Sequence, residues 1–299
     1  MSPKKIPAAV LAATGAVGQR FIQLLENHPW FEVIAVTGSA RTSGQNYGAA
    51  CRWVLPGDIP ANIRNLKILP STPDAAQTPL VFSALPSGEG FIVTNPNCTS
   101  TGITVALKAL QNAFGLRRVF AASMQAISGA GYPGVPSLNI LGNVIPYIAG
   151  EEEKASWEPR KMLGKLNNGK LELADIGFSF HANRVPVIDG HTVVLTVELA
   201  DPPVDIEEAA HTLSGYQAPE ISRQLPSAPQ PVIQLRREAD RPQPRLDLTR
   251  GMTTVVGRVR PDDLFDLRMV VVSHNTIRGA AGGSIYNAEL LVEQGFVKG

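Results

Sequence analysis

Only two of the 299 residues are cysteine, Cys51 and Cys98, too few for a disulfide framework and in keeping with a reducing compartment. No apolar run approaches the ~20 residues that a membrane span needs. Neither sign of charge dominates: 27 Lys and Arg stand against 26 Asp and Glu, a net charge of +1. The basic residues are dispersed and form no stripe of the kind that nucleic-acid binding requires. Neither nucleic acid nor membrane is therefore an expected partner, and no metal site is expected. There is no internal repeat and no glycine period. What is plentiful is apolar residue, 44% of the chain, together with 27 Gly and 24 Pro. Such a chain can bury about 75% of its unfolded surface, its length suggests two domains, and its turns are many. Lys4-Lys5 and the apolar residues 6–13 have the outline of a signal peptide. The glycine turn that follows fits a strand entering a turn better, and a cytoplasmic location is expected.

Residues 6–12 read as a strand, Thr14-Gly15-Ala16-Val17-Gly18 as a turn, and Val17, Phe21, Leu24 and Leu25 as the apolar face of a helix. A second run, Phe31 to Val36, completes a βαβ unit of the size that holds a dinucleotide pyrophosphate at the first helix N-terminus. The candidates for that contact are Thr14, Gly15, Ala16 and Val17. The full glycine fingerprint is not met, since Ala13 fills its first position, and a plain tight turn is the competing reading. At the end of the second strand an NAD site usually places an acid for the ribose hydroxyls. Here Thr37-Gly38-Ser39-Ala40-Arg41-Thr42-Ser43-Gly44 offers Ser39, Arg41 and Ser43 instead, groups suited to a 2′-phosphate. NADP is favoured over NAD. The alternative is a solvated loop with a surface arginine.

A third apolar run, Leu80 to Leu85, is followed by Pro86-Ser87-Gly88-Glu89-Gly90, Phe91 to Thr94, and Asn95-Pro96-Asn97-Cys98. Thr99 or Ser100 can cap a helix carrying Ile103, Ala106, Leu107, Leu110 and Phe114 on one face and ending at Gly115. Cys98 then sits at a helix N-terminus, where the dipole and free N–H groups favour the nucleophilic thiolate. The competing reading is a small buried hydrophobe.

Beyond residue 115 the pattern changes to strands and long loops. A strand at Arg118 to Ser123 precedes the glycine-rich Ser128–Gly134 and the acidic Glu151-Glu152-Glu153-Lys154. Asp189-Gly190 suggests a two-residue hairpin between Val185–Ile188 and His191–Leu199. That pairing places Arg184, Pro186, Ile188 and His191 on one face, lining one pocket. The prolines between 226 and 244 suggest an extended surface segment. Strands at Met252–Val259 and Leu267–Val272 follow, and then a C-terminal helix with Ile285, Ala288, Leu291 and Val292.

Four motifs in order, Asn95-Pro96-Asn97-Cys98-Thr99, Ser128–Gly134, Arg184–Thr192 and Asn275–Gly283, resemble those of the aspartate-semialdehyde dehydrogenases, most closely the archaeal and fungal branch. The resemblance runs through nearly the whole chain. It implies an α/β fold: a Rossmann-type NADP-binding domain, residues 1–97 with 275–299, and an α+β catalytic and dimerisation domain, residues 98–274. It implies NADPH-dependent reductive dephosphorylation of L-aspartyl-4-phosphate to L-aspartate 4-semialdehyde, on the route to lysine, methionine and threonine. Cys98 attacks the acyl phosphate and forms a thioester, and His191, with a near-neutral pKa, shuttles the proton. Gln125, 27 residues after Cys98, matches the family's substrate-orienting glutamine, and Arg184, seven before His191, matches the arginine that holds the substrate carboxylate. Glu151 resembles the acid that contacts the substrate ammonium, with Glu152 and Glu153 as alternatives, or a solvated helix start as the bland reading. Lys154 resembles the base for phosphate or carboxylate. Ser83, Asn275 and Gly279 join the cofactor set. The implied partners are the small-molecule substrate, phosphate, and further copies of the chain in a homodimer or homotetramer.

Two departures stand out. The family's Gly-Ala-Thr-Gly turn reads Ala12-Ala13-Thr14-Gly15, with a methyl where glycine is usual. After Ser83-Ala84-Leu85-Pro86-Ser87 the family has a further βα-type stretch and a phosphate-contacting arginine; here Gly88-Glu89-Gly90 leads straight to Phe91. On the order of 30 to 60 residues are missing, so weak or absent activity is expected. The rival readings are a catalytically silent, truncated or splice-type subunit that only oligomerises, and another phosphorylating acyl reductase, such as N-acetyl-glutamyl-phosphate reductase or glyceraldehyde-3-phosphate dehydrogenase.

Overall fold

The apolar run near the N-terminus forms strand β1 (Ile6–Leu11), and Ala8, Ala9 and Val10 are fully buried. Strands covered on both faces read as continuous apolar runs, as parallel sheets require. In the computed structural model, which describes residues 5–72, 75–83, 93–248 and 251–297, β1 is followed by a helix (Ala16–Leu25) and by β2 (Phe31–Gly38). Two short strands, β3 (Ile68–Pro70) and β4 (Leu80–Ser83), complete a parallel sheet in the order β3-β2-β1-β4. Phe21, Ile22 and Leu25 of the first helix share one core with Ile285 and Ala288 of the C-terminal helix (Gly282–Glu293). Gly18 allows the helix to lie against the strand end, since a Cβ there would stand 2.4 Å from the Ala12 carbonyl oxygen. The junction at Gly88-Glu89-Gly90, where the sequence runs short, lies outside the described residues, as does the expected end of the third apolar run.

This first unit comprises residues 1–94, 220–228 and 280–299. A contiguous 98–274 domain does not anticipate the excursion at 220–228. Two contacts explain it: Tyr286 donates to the Ser222 carbonyl (2.8 Å), and the buried Glu289 accepts from the Ser227 hydroxyl (2.6 Å) and backbone N–H (3.0 Å). Glu289 also meets His28 Nε2 at 2.7 Å.

The second unit, residues 95–219 and 229–279, opens with the cysteine helix (Cys98–Phe114), whose apolar face buries Ile103, Ala106, Leu107, Leu110 and Phe114. Gly115 ends it at φ +66, a conformation that costs glycine nothing. There follow β5 (Leu116–Gln125), an acidic helix (Glu151–Met162), the ribbon β6 (Lys165–Asn167) and β7 (Lys170–Glu172), then β8 (Gly177–Arg184) and β9 (His191–Leu199). β10 (Ile233–Arg236), β11 (Thr254–Pro261) and β12 (Leu267–Ser273) complete a mixed sheet in the order β10-β11-β12-β9-β5-β8. Alternation along β5 buries Val119, Ala121, Ser123 and Gln125 and leaves Phe120 and Met124 on an open face.

The expected hairpin at Asp189-Gly190 does not form. β8 and β9 lie on opposite sides of β5, parallel and antiparallel to it respectively. Residues 185–190 cross the end of β5 instead, the Val187 and Ile188 carbonyls accepting from Ile127 and Ser128 N–H (2.8 and 3.2 Å). Hydrogen bonding to this third strand outweighs the local turn preference. The proline-rich segment is likewise only partly extended, since it includes β10 and a short helix at Pro244–Asp247. Among the described residues no helix is long and apolar enough to cross a membrane.

Ala12 sits at φ +50, a left-handed conformation that costs a residue with a Cβ roughly 1–2 kcal/mol. Part of that is offset by alanine's smaller loss of backbone freedom on folding. Ala12→Gly is therefore expected to stabilise the chain by about 0.5–1 kcal/mol, seen as a higher urea midpoint; a lower midpoint contradicts the strain.

Candidate active site

Cys98 is the first residue of its helix, and the cap is Asn97, not Thr99 or Ser100. The Asn97 Oδ1 accepts from the Thr99 and Ser100 N–H groups at 2.9 and 3.1 Å. The Thr99 hydroxyl is turned elsewhere, donating to Glu151 Oε1 at 3.1 Å.

Glu151 is the hub of the site. Its carboxylate is buried and also accepts from Asn97 Nδ2 (2.9 Å to each oxygen) and from Gln125 Nε2 (2.8 Å). Buried Gln125, at the end of β5, donates further to Ser123 Oγ at 3.2 Å. The geometry separates the three acids of the motif. Glu151 faces the cysteine, Glu152 accepts from the Ala182 N–H at 2.9 Å, and Glu153 is exposed. Lys154, one turn on from Glu151, is exposed as well.

His191 is buried with its Nε2 3.2 Å from Cys98 Sγ. Its Nδ1 accepts from the Ala126 N–H at 3.1 Å. A backbone N–H can only donate, so Nδ1 carries the lone pair and the ring proton resides on Nε2, aimed at sulfur. Burial, reinforced by the nearby Arg184 and His274, pushes His191 down to about 3. The near-neutral pKa expected of this histidine is thus corrected. Arg184 is buried and donates through Nη1 to the Ala126 carbonyl at 2.8 Å. One peptide residue therefore holds both groups. Ile188, expected to share their pocket, is 74% exposed, and Pro186 is exposed too, because the crossing segment turns them outward.

Burial pushes the Cys98 thiol up to about 12, Glu151 adds to the effect, and the Thr99 and Cys98 N–H groups with Arg184 oppose it. In the ligand-free chain the helix terminus does not win, so the expected thiolate is not the resting form.

Two glycines allow close approach at the site. A Cβ on Gly129 would stand 2.8 Å from Arg184 Nη1 and 3.1 Å from His191 Cε1. On Gly279 it would stand 2.6 Å from Cys98 Cβ, so Gly279 packs directly on Cys98. The Asn275 amide accepts from the Gly190 N–H and donates to Ser128 Oγ, both at 2.8 Å, tying the loops beside His191. Sequence reasoning missed the parts played by Asn97, Gly129, the Ala126 peptide and Glu158, whose carboxylate accepts from the Asn97 N–H at 2.6 Å. Only Asn97 carried a usable signal, as a preferred capping residue directly before the helix.

In the first unit the cofactor candidates gather at the carboxyl ends of the parallel strands, where open α/β sheets bind ligands. Thr14, Gly15, Ala16 and Val17 follow β1, Ser39, Arg41 and Ser43 follow β2, and Ser83 ends β4 beside Leu11. No side chain caps the first helix at Gly15, which is exposed, as are Ser39 and Arg41. Free N–H groups at a helix N-terminus with a cation and a hydroxyl nearby fit a dinucleotide bearing an extra phosphate.

The thiol's elevation generates a pH prediction. Below its pKa the thiolate fraction rises about tenfold per pH unit, so iodoacetamide inactivation of the ligand-free protein should climb steadily from pH 7 to 9. A rate already level by pH 8 contradicts the assignment.

Residues 7–125 match the semialdehyde dehydrogenase NAD binding domain and residues 107–278 the semialdehyde dehydrogenase dimerisation domain. Aspartate-semialdehyde dehydrogenase of Archaeoglobus fulgidus is 42% identical over 95% of this chain and 97% of its own. That of Cryptococcus neoformans is 38% identical over all of both chains, in an alignment of 365 positions. The crystal structure of the Candida albicans enzyme with NADP superposes with a TM-score of 0.90 at 32% identity, covering 98% of this chain and 100% of that one. A Vibrio cholerae relative, at 23% identity and a TM-score of 0.72, shares the fold. The chain belongs to the aspartate-semialdehyde dehydrogenase family.

Proposed function

We propose that the chain carries out the reductive dephosphorylation of L-aspartyl-4-phosphate to L-aspartate 4-semialdehyde through a thioester on Cys98. The observation that supports this most directly is the Cys98 Sγ to His191 Nε2 approach of 3.2 Å, beside a buried arginine and a buried carboxylate. Those two charges match a substrate that carries a carboxylate and an ammonium. Arg184 holds the carboxylate. Glu151 Oε1 already accepts from three donors while Oε2 accepts from one, so Oε2 keeps a lone pair for the ammonium. Gln125 orients Glu151.

The ammonium, set beside Glu151, offsets the charge that adds to burial in opposing ionisation of Cys98, and the sulfur attacks the acyl phosphate carbon as its proton passes to the departing phosphate. The carbon–oxygen bond to phosphate breaks, and phosphate leaves and takes up a proton. The His191 Nε2–H donates first to the sulfur and then to the oxygen on which negative charge develops. NADPH, when bound, supplies the hydride. The resulting alkoxide collapses to the aldehyde and expels the thiolate, so His191 need not give up its ring proton. NADP is favoured over NAD by Arg41, Ser39 and Ser43 and by the lack of an acid at the end of β2. The first helix terminus would hold the pyrophosphate, and Asn275 and Gly279 belong to the same proposed cofactor set. Lys154 is proposed to engage phosphate.

Turnover is proposed to be weak. The Cryptococcus alignment needs 365 positions for a chain of 299 residues, so residues present in that enzyme are missing here, and the family's phosphate-contacting arginine is proposed to be among them. Self-association is proposed to use the open sheet face of Phe120, Met124 and Val194, in line with the matched dimerisation domain.

Steady-state assay with NADP⁺, phosphate and semialdehyde tests both parts. Slow turnover that vanishes in Cys98→Ser is expected. Turnover of about 1 to 10³ per second refutes the weak-activity reading, and turnover retained in Cys98→Ser refutes the nucleophile.

A further inference from the structure

The acidic helix meets the cysteine motif at two points, and the reaction outlined above uses only one of them. Glu151 and Glu158 lie seven residues apart, two helical turns, so both carboxylates project from one face. Between them on that face is Ala155, fully buried, whose small side chain lets the helix come close to the cysteine motif. Both acids hold the same residue: Glu151 accepts from the Asn97 side-chain amide at 2.9 Å, and Glu158 from the Asn97 backbone N–H at 2.6 Å.

We infer that Glu158 is a positioning residue for Cys98, fixing the peptide of the capping residue from which the nucleophile is suspended. The inference rests on the proposal that Cys98 is the nucleophile. Pro96 offers no N–H, so that of Asn97 is the last backbone donor before the helix begins, and the helix itself provides it no acceptor. The Asn97 carbonyl is already held by the Thr101 N–H and hydroxyl, at 2.9 and 3.0 Å, so its N–H is the backbone group still to be fixed. Holding the N–H fixes φ at −49, while the carbonyl bonds hold ψ at 143, and together these angles aim the Cys98 side chain at His191 Nε2. The donor–acceptor distance is that of a strong charge-assisted bond. A nucleophile released from such a restraint loses alignment, and displacement on the scale of an ångström costs up to about a hundredfold in rate.

The test reads Cys98 directly, through the rate of iodoacetamide alkylation at pH 8, alongside kcat and KM. Glu158→Ala is expected to lower alkylation and kcat by about tenfold while KM for semialdehyde stays within about twofold. Glu158→Gln keeps an oxygen acceptor and should remain within about threefold of the unmodified chain. Alkylation and kcat unchanged in Glu158→Ala overturn the inference, as does a rise in KM with kcat intact, or equal damage from both variants. If Glu158→Ala fails to fold by circular dichroism, Glu158→Asp takes its place, since shortening the side chain by one methylene withdraws the carboxylate. Unchanged alkylation in that variant overturns the inference too. Turnover retained in Cys98→Ser would instead mark failure of the underlying reading.

Discussion

A single buried carboxylate organises the site. Glu151 gathers the Asn97 amide, the Thr99 hydroxyl and the Gln125 amide, and these belong to the cap of the cysteine helix, its first turn and the end of β5. A buried charge persists only where hydrogen bonds replace its lost water, so the three elements cannot separate without leaving that charge unsatisfied. The position of Cys98 thus follows from a desolvation constraint. Burial keeps the thiol protonated, and the same charge adds to the effect.

The Ala126 peptide plays the complementary part on the other side of the sulfur. Its N–H fixes the His191 tautomer and its carbonyl receives Arg184. The Arg184 guanidinium and the His191 ring are therefore both referenced to one residue directly after β5, through the two peptide groups that flank its Cα. A site built this way supports charge on sulfur and oxygen through a preorganised donor and does not depend on a histidine titrating near neutrality.

Much of this was legible in the sequence where one residue type has one physical use. The βαβ unit followed from apolar runs interrupted at Gly15 and Gly18, and the cysteine helix from the spacing of Ile103, Leu107, Leu110 and Phe114. What failed was long-range pairing. Asp189-Gly190 has the composition of a hairpin turn, yet β5 intervenes between β8 and β9, and nothing local records a strand more than 60 residues upstream. The pKa values failed for the same reason. A helix terminus favours thiolate, but the burial that outweighs it at Cys98 and depresses His191 is a property of the assembled sheet and helices. Glu158 was invisible because a carboxylate bound to a backbone N–H leaves no motif.

The proposed thioester step needs no dinucleotide and can be tested by itself. The most direct measurement is therefore incubation with L-aspartyl-4-phosphate without cofactor, followed by acid quench, phosphate determination and peptide mass mapping. The account predicts phosphate release in step with an aspartyl adduct on the Cys98 peptide. Phosphate release without that adduct, or an adduct on Cys51, contradicts it.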